Sequence, residues 1–281
     1  MSTSTPTWFI TGASSGFGLA FARHALSKGY NVVATARTRG KLQSLRPESG
    51  DRLLTVELDV KRAGAAEQAI AAAIMTFGGI DVLINNAGYA IVGALEETPE
   101  AEVRALMDTN FFGAMAVTRA ALPHMRERGK GAIVNISSMG GQMSFAGVGA
   151  YSATKFALEG YSEALAQELA PFGIKVLIVE PGAFRTSLVS SAERFMPSHD
   201  AYRETLAGIR KAMLDMDGTQ AGDPLKAAAA IDIALASSNT PLRIQLGDDA
   251  IDAVRQHAER LLADLEIWKD VGSNTRLDVS D

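Results

Sequence analysis

The sequence predicts an α/β protein, a doubly wound seven-stranded parallel sheet with helices on both faces. Two observations carry that expectation. Seven short β-rich runs are spaced through 281 residues with helical patterns between them, and the first six are nearly continuous apolar runs. A strand that is apolar throughout is buried on both faces, as in parallel sheets whose strands are joined by crossover helices. A hydrophobic content of 47% is ample for such a core.

The runs are WFIT (8–11), NVVATA (31–36), LLTVELDV (53–60), DVLINNAG (81–88), AIVNISS (132–138), KVLIVEPG (175–182) and LRIQLG (242–247). Between the fourth and fifth, Thr98-Pro99 opens a long helical pattern, threonine as N-cap and proline at the first helical position, running to about Gly129 with a bend expected at Pro123. The stretch from about 187 to 223 is punctuated by Pro197, Gly218 and Gly222 and is too long for a simple connection, so it reads as a lid. After the last run, 251–268 repeats apolar residues at helical spacing and a polar tail follows. No repeat or linker divides the chain, so 1–281 reads as one catalytic domain, with 248–281 as its C-terminal helix and tail.

Composition excludes several functions. Net charge is −5 with no long lysine/arginine run, which argues against nucleic acid or an anionic membrane as partner. Absence of cysteine removes disulfides, thiolate metal sites and cysteine nucleophiles. The four histidines, His24, His124, His199 and His257, are scattered without ligand-like spacing, so no metal is expected. No apolar run reaches the ~18–20 residues of a membrane span, and MSTSTPT lacks the charge and apolar stretch of a secretory signal; a cytoplasmic protein is expected.

The first strand runs into TGASSGFG, with Gly12, Gly16 and Gly18 directly before a helical run. Glycine there lets the backbone approach a pyrophosphate, and the helix N-terminus supplies free N–H groups, so this is a dinucleotide loop of Rossmann type. At the end of the second strand, where an acidic residue would bind the ribose 2′-hydroxyl of NAD, stand Ala36 and Arg37. A guanidinium binds phosphate through paired hydrogen bonds, which favours NADP(H), with Arg39 a second contact.

YSATK places Tyr151 four residues before Lys155 on a helix, where i and i+4 side chains meet. A free tyrosine titrates near ~10, and an adjacent cation lowers that value, so the pair reads either as a tuned proton donor or as a surface tyrosine beside a solvated lysine. The remaining motifs decide. TGASSGFG, NNAG (85–88), Asn110, Ser138, YSATK and EPGAFRT (180–186) occur in the order of the short-chain dehydrogenase/reductase family, which this sequence resembles over about residues 7–247.

The resemblance implies that Tyr151 exchanges a proton with a carbonyl or alcohol oxygen, that Lys155 lowers the tyrosine's pKa and holds the nicotinamide ribose, that Ser138 hydrogen-bonds the substrate oxygen and that Asn110 holds a water linking Lys155 to solvent. It further implies that Ser14, Ser15 and Phe17 of the glycine loop, Asp59, Val60, Asn86, Ala87, Gly88, Pro181, Gly182, Phe184 and Thr186 line the cofactor cleft. The expected activity is NADPH-dependent reduction of a ketone or aldehyde. An NAD-dependent alcohol or sterol dehydrogenase and a non-catalytic NADP-sensing regulator are the alternatives. Tyr89, Met139, Met143, Phe145, Leu188, Phe195 and Met196 are candidate substrate contacts, mostly apolar, or else core and lid packing. A homodimer is expected, with the apolar face of 251–268 buried on its own subunit or across an interface.

Overall fold

The computed structural model describes residues 5–186, 188, 192 and 200–277, the side chains of 47 and 48 excepted. Its sheet has seven strands, β1 (Thr7–Ile10), β2 (Asn31–Ala36), β3 (Leu53–Glu57), β4 (Val82–Asn85), β5 (Gly131–Ile136), β6 (Ile174–Pro181) and β7 (Arg243–Leu246), in the order β3-β2-β1-β4-β5-β6-β7. Every pairing is parallel. All seven predicted runs are strands, trimmed at their ends because the last residues of several, such as Asn86 to Gly88, leave the ladder to form loops at the carboxyl edge.

Successive strand residues point to opposite faces, so each strand feeds two cores. On one side Trp8, Ile10, Val32, Ala34, Ile84, Val134 and Val179 pack against α1 (Gly16–Ser27) and a helix at Pro224–Ala236. On the other, Phe9, Val33, Leu83, Ile133 and Val176 pack against α2 (Ala65–Phe77), a helix at Gly113–Arg128 and one at Gly149–Leu169. The chain leaves β1 toward one side and β4 toward the other, which opens a crevice at the carboxyl ends of these strands.

The long pattern after Thr98 is two helices, α3 (Glu100–Met107) and α4 (Gly113–Arg128), joined by a π turn at Asp108–Phe112. Pro99, not Thr98, occupies the N-cap position, because its ψ of 136° is still non-helical; the Thr98 hydroxyl donates to Ala94 O at 2.8 Å in the preceding turn. Helix α4 continues through Pro123, so the irregularity falls at Asn110 instead of at the proline. Beyond it come α5 (Gly149–Leu169), α6 (Arg203–Met216), α7 (Pro224–Ala236) and α8 (Asp248–Ser273). Among the described residues, helix α8 touches the body only at its start: from Ala258 to Leu277 every residue is exposed, Leu262 and Trp268 by 66% and 65%. Nothing among the described residues covers its apolar face beyond His257. No described helix is long and apolar enough to cross a membrane.

Candidate active site

A cleft of about 650 Å³ runs along the carboxyl edge of the sheet. Its floor is the glycine loop. Gly12 has φ 66°, open to glycine and strained for other residues, and a Cβ there would stand 3.0 Å from Ala87 Cα. A Cβ on Gly18 would lie 2.3 Å from Gly12 O, so this residue lets α1 close on the loop from behind and does not line the cleft. Thr11 and Asn86 lock the loop to the end of β4. The Thr11 hydroxyl accepts from Asn86 N (2.9 Å) and Ala87 N (3.0 Å), and Asn86 Nδ2 donates to Thr11 O (2.9 Å).

Gly12, Ser14, Ser15, Gly16, Phe17, Arg37, Asp59, Val60, Asn86, Ala87 and Gly88 line the cleft, as do Pro181, Gly182, Phe184 and Thr186 opposite them. Phe184 stacks obliquely on Phe17, ring centres 5.0 Å apart, and its segment is pinned by Arg185 N to Gly222 O (2.9 Å) and Gly222 N to Ala183 O (3.1 Å). Arg39 faces elsewhere: its Nε donates to Thr55 Oγ1 (3.1 Å) beside a separate depression.

Ser138, Tyr151 and Lys155 meet in the same cleft. Ser138 caps a short turn at Met139–Gly141, accepting from Gly140 N (3.0 Å), and its hydroxyl favours the charged form of the Tyr151 phenol. Tyr151 sits in the first turn of α5, and Lys155 one turn on, buried, donates Nζ to Ile136 O (2.8 Å) at 5.6 Å from the phenol ring centre. Burial pushes the phenol up to about 12, against a smaller downward pull from Ser138. The Lys155 ammonium is directed at the end of β5. Burial likewise brings Lys155 down to about 8, partly offset by the Glu159 carboxylate.

Asn110 lies behind this group, outside the cleft lining and 2% exposed. Its side chain accepts from Tyr89 N (3.1 Å) and donates to Tyr89 O (2.9 Å) and Thr154 Oγ1 (3.0 Å), while Thr154 Oγ1 donates to Tyr151 O (2.8 Å). The amide thus bolts the π turn to α5, and its side chain is committed to protein partners.

Of the candidate substrate contacts, Tyr89, Met139 and Leu188 line the cleft. Met143 is buried and Phe145 is 47% exposed, and neither is among the lining residues. Phe195 and Met196 lie outside the described residues. The structure adds Lys61, Met216, Gln220 and Asp249 to the lining. Asp249 opens α8 and its Oδ2 accepts from Ala183 N at 2.7 Å, a tie across the chain that no local motif announces.

Sheet order, glycine loop and cleft define a nicotinamide-dinucleotide-binding protein of Rossmann type. The backbone-lined cradle, which side chains at Gly12 or Gly16 would obstruct, fits such a cofactor. Comparison with known proteins narrows the class. The family model described as short chain dehydrogenase matches residues 6–196. A crystal structure of a short-chain dehydrogenase from Streptomyces avermitilis superposes with TM-score 0.90 at 47% identity, covering 98% of this chain and 100% of that one. One from Burkholderia phymatum, in complex with NAD, gives 0.82 at 26%, covering 94% and 96%. A 3-ketodihydrosphingosine reductase of Bacteroides thetaiotaomicron is 40% identical over 240 residues, 85% of this chain and 86% of its own. The chain belongs to the short-chain dehydrogenase/reductase family and is an oxidoreductase.

Proposed function

We propose that the protein is an NADPH-dependent carbonyl reductase that reduces a hydrophobic ketone or aldehyde to an alcohol, reversibly, in the cytoplasm and as a homodimer. The carrying observation is the convergence of Ser138, Tyr151 and Lys155 in the cleft floored by the glycine loop. The cofactor would supply the hydride. Tyr151, protonated at neutral pH because burial holds it near 12, donates its proton to the oxygen that gains charge. Ser138 donates a hydrogen bond to the same oxygen, and Lys155 holds a positive charge beside the phenol so that the tyrosinate left behind is stabilised. Asn110 acts through position alone, fixing the first turn of α5.

Arg37 and Lys61 in the cleft lining support the 2′-phosphate form, and no carboxylate occupies the end of β2. An NAD-dependent alcohol or sterol dehydrogenase would share the chemistry and differ at Arg37; a non-catalytic sensor would have no use for the triad. The apolar Met139 and Leu188 support a hydrophobic substrate, and the Bacteroides relative is named for reducing a ketone. The test is oxidation of NADPH, followed optically with a panel of ketones and aldehydes, for wild type and Tyr151→Phe. Turnover in the first and none in the second is expected. Tight NADPH binding with no turnover on any carbonyl would favour the sensor.

A further inference from the structure

Behind Lys155 lies a set of buried charges that the proposed chemistry does not use. Glu159, one turn beyond Lys155 on the same face of α5, is 4% exposed, and Glu180, near the end of β6, is 0% exposed. Between them stands the guanidinium of Arg243 on β7, with Nε 3.0 Å from Glu159 Oε2 and 3.5 Å from Glu180 Oε1. Gln142 Nε2 donates to Glu180 Oε1 (2.9 Å) and Glu159 Oε2 (3.4 Å), and Gln245 Nε2 donates to Glu180 Oε2 (2.8 Å). The Ser137 hydroxyl at the end of β5 also favours the charged form of Glu159. Glu163 reaches Arg243 Nη2 at 3.0 Å from the outer side, 54% exposed, where water screens it.

Two buried carboxylates face one half-buried guanidinium, and an uncompensated buried charge costs several kcal/mol. Lys155, one turn before Glu159, is itself buried, and its Nζ donates to Ile136 O. Adding it makes the group neutral: Lys155 and Arg243 against Glu159 and Glu180. We propose that Glu159 is a positioning residue for the reaction, the counter-ion that keeps Lys155 charged, and that Arg243 and Glu180 divide its charge between the edge strand β7 and the catalytic helix. The inference rests on the role given to Lys155 above. Burial raises Glu159 to about 7 and lowers Lys155 to about 8, and the Glu159 carboxylate favours the ammonium form of Lys155. The groups facing the pair are Tyr151, Ser137, Gln142, Glu180, Arg243 and, from outside, Glu163.

The direction of the effect follows. Loss of the Glu159 charge disfavours ammonium, so Lys155 gives up its proton at lower pH. The test labels lysine Cε with ¹³C in the full chain without cofactor and titrates the Lys155 resonance, assigned by its loss in Lys155→Arg. The wild-type midpoint is expected near 8. Glu159→Gln should move it about one pH unit to acid, and the alkaline limb of the kcat profile should move with it; Glu159→Asp should largely restore both. Arg243→Gln should move the midpoint to alkaline, because it removes a competing cation, and it serves as the test should Glu159→Gln fail to fold. Glu163→Gln should leave the midpoint in place. A folded Glu159→Gln with an unmoved midpoint, or an Arg243→Gln shift to acid, overturns the proposal. Turnover surviving in Tyr151→Phe would overturn the reductase reading instead, and the resonance, read without catalysis, would still judge the Lys155–Glu159 coupling.

Discussion

Tyr151 and Lys155 show what residue spacing does and does not reveal. That both side chains share one face of a helix was legible, since i and i+4 positions on any helix do so. The direction of the ammonium was not: it depends on the Ile136 carbonyl at the end of β5, distant in sequence, while burial holds the phenol near 12. Tyr151→Phe should therefore keep cofactor affinity while kcat falls by at least about 100-fold, the scale of a lost general acid. Lys155→Ala should raise KM for NADPH as well as lower kcat, a split that steady-state kinetics reads directly. At the other end of the cleft, Arg37→Asp exchanges a phosphate-binding guanidinium for a carboxylate that repels phosphate and can accept from a ribose hydroxyl. The ratio of kcat/KM for NADPH over NADH should fall below one; a wild type that already prefers NADH would refute the assignment.

Among the elements, the strands were the most legible because burial on both faces writes itself into a short run. The π turn was not, since DTNFF has no breaker and the tempting proline lies elsewhere. Its cause is tertiary: Asn110 is held by the Tyr89 backbone on one side and Thr154 on the other. The same holds for the junction of α8 with the segment after β6. Asp249 accepts from Ala183 N, and its carboxylate fills the space above Gly182, where a Cβ would be 2.2 Å from Asp249 Oδ1. This bond holds a wall of the cleft to the start of a helix. Asp249→Ala should loosen that wall by the worth of one charge-assisted hydrogen bond, about 1.5–3 kcal/mol. Fluorescence titration should then show NADPH binding weakened about tenfold, with Tyr151 chemistry intact in the rate at saturating cofactor. Unchanged affinity would reduce Asp249 to a helix-terminal charge.

At the scale of the whole molecule, α8 is the element whose role spacing alone left open. Its apolar residues recur at Ile251, Val254, Ala258, Leu261, Leu265 and Trp268, the three-and-four spacing of a helix seam. The body of the subunit covers only the start, leaving Leu261, Leu265 and Trp268 more than half exposed. A long helix held by packing at one end alone gains little from propensity, and an apolar stripe of this extent drives association. In the proposed homodimer the occupant is the same helix of a second copy: parallel pairing about a two-fold axis joins the seams and brings Asp264 of each helix toward Lys269 of the other, an attractive pair made twice. Truncation after Gln256 removes the exposed arm and leaves the Asp249 tie in place. Light scattering after size exclusion should find a dimer for the full chain and a monomer for the shortened one, with NADPH binding retained and, in the full chain, Trp268 fluorescence shifting to the red on dilution. A shortened chain that remains dimeric would move the interface to another surface, and a full chain that is monomeric at micromolar concentration would end the pairing argument.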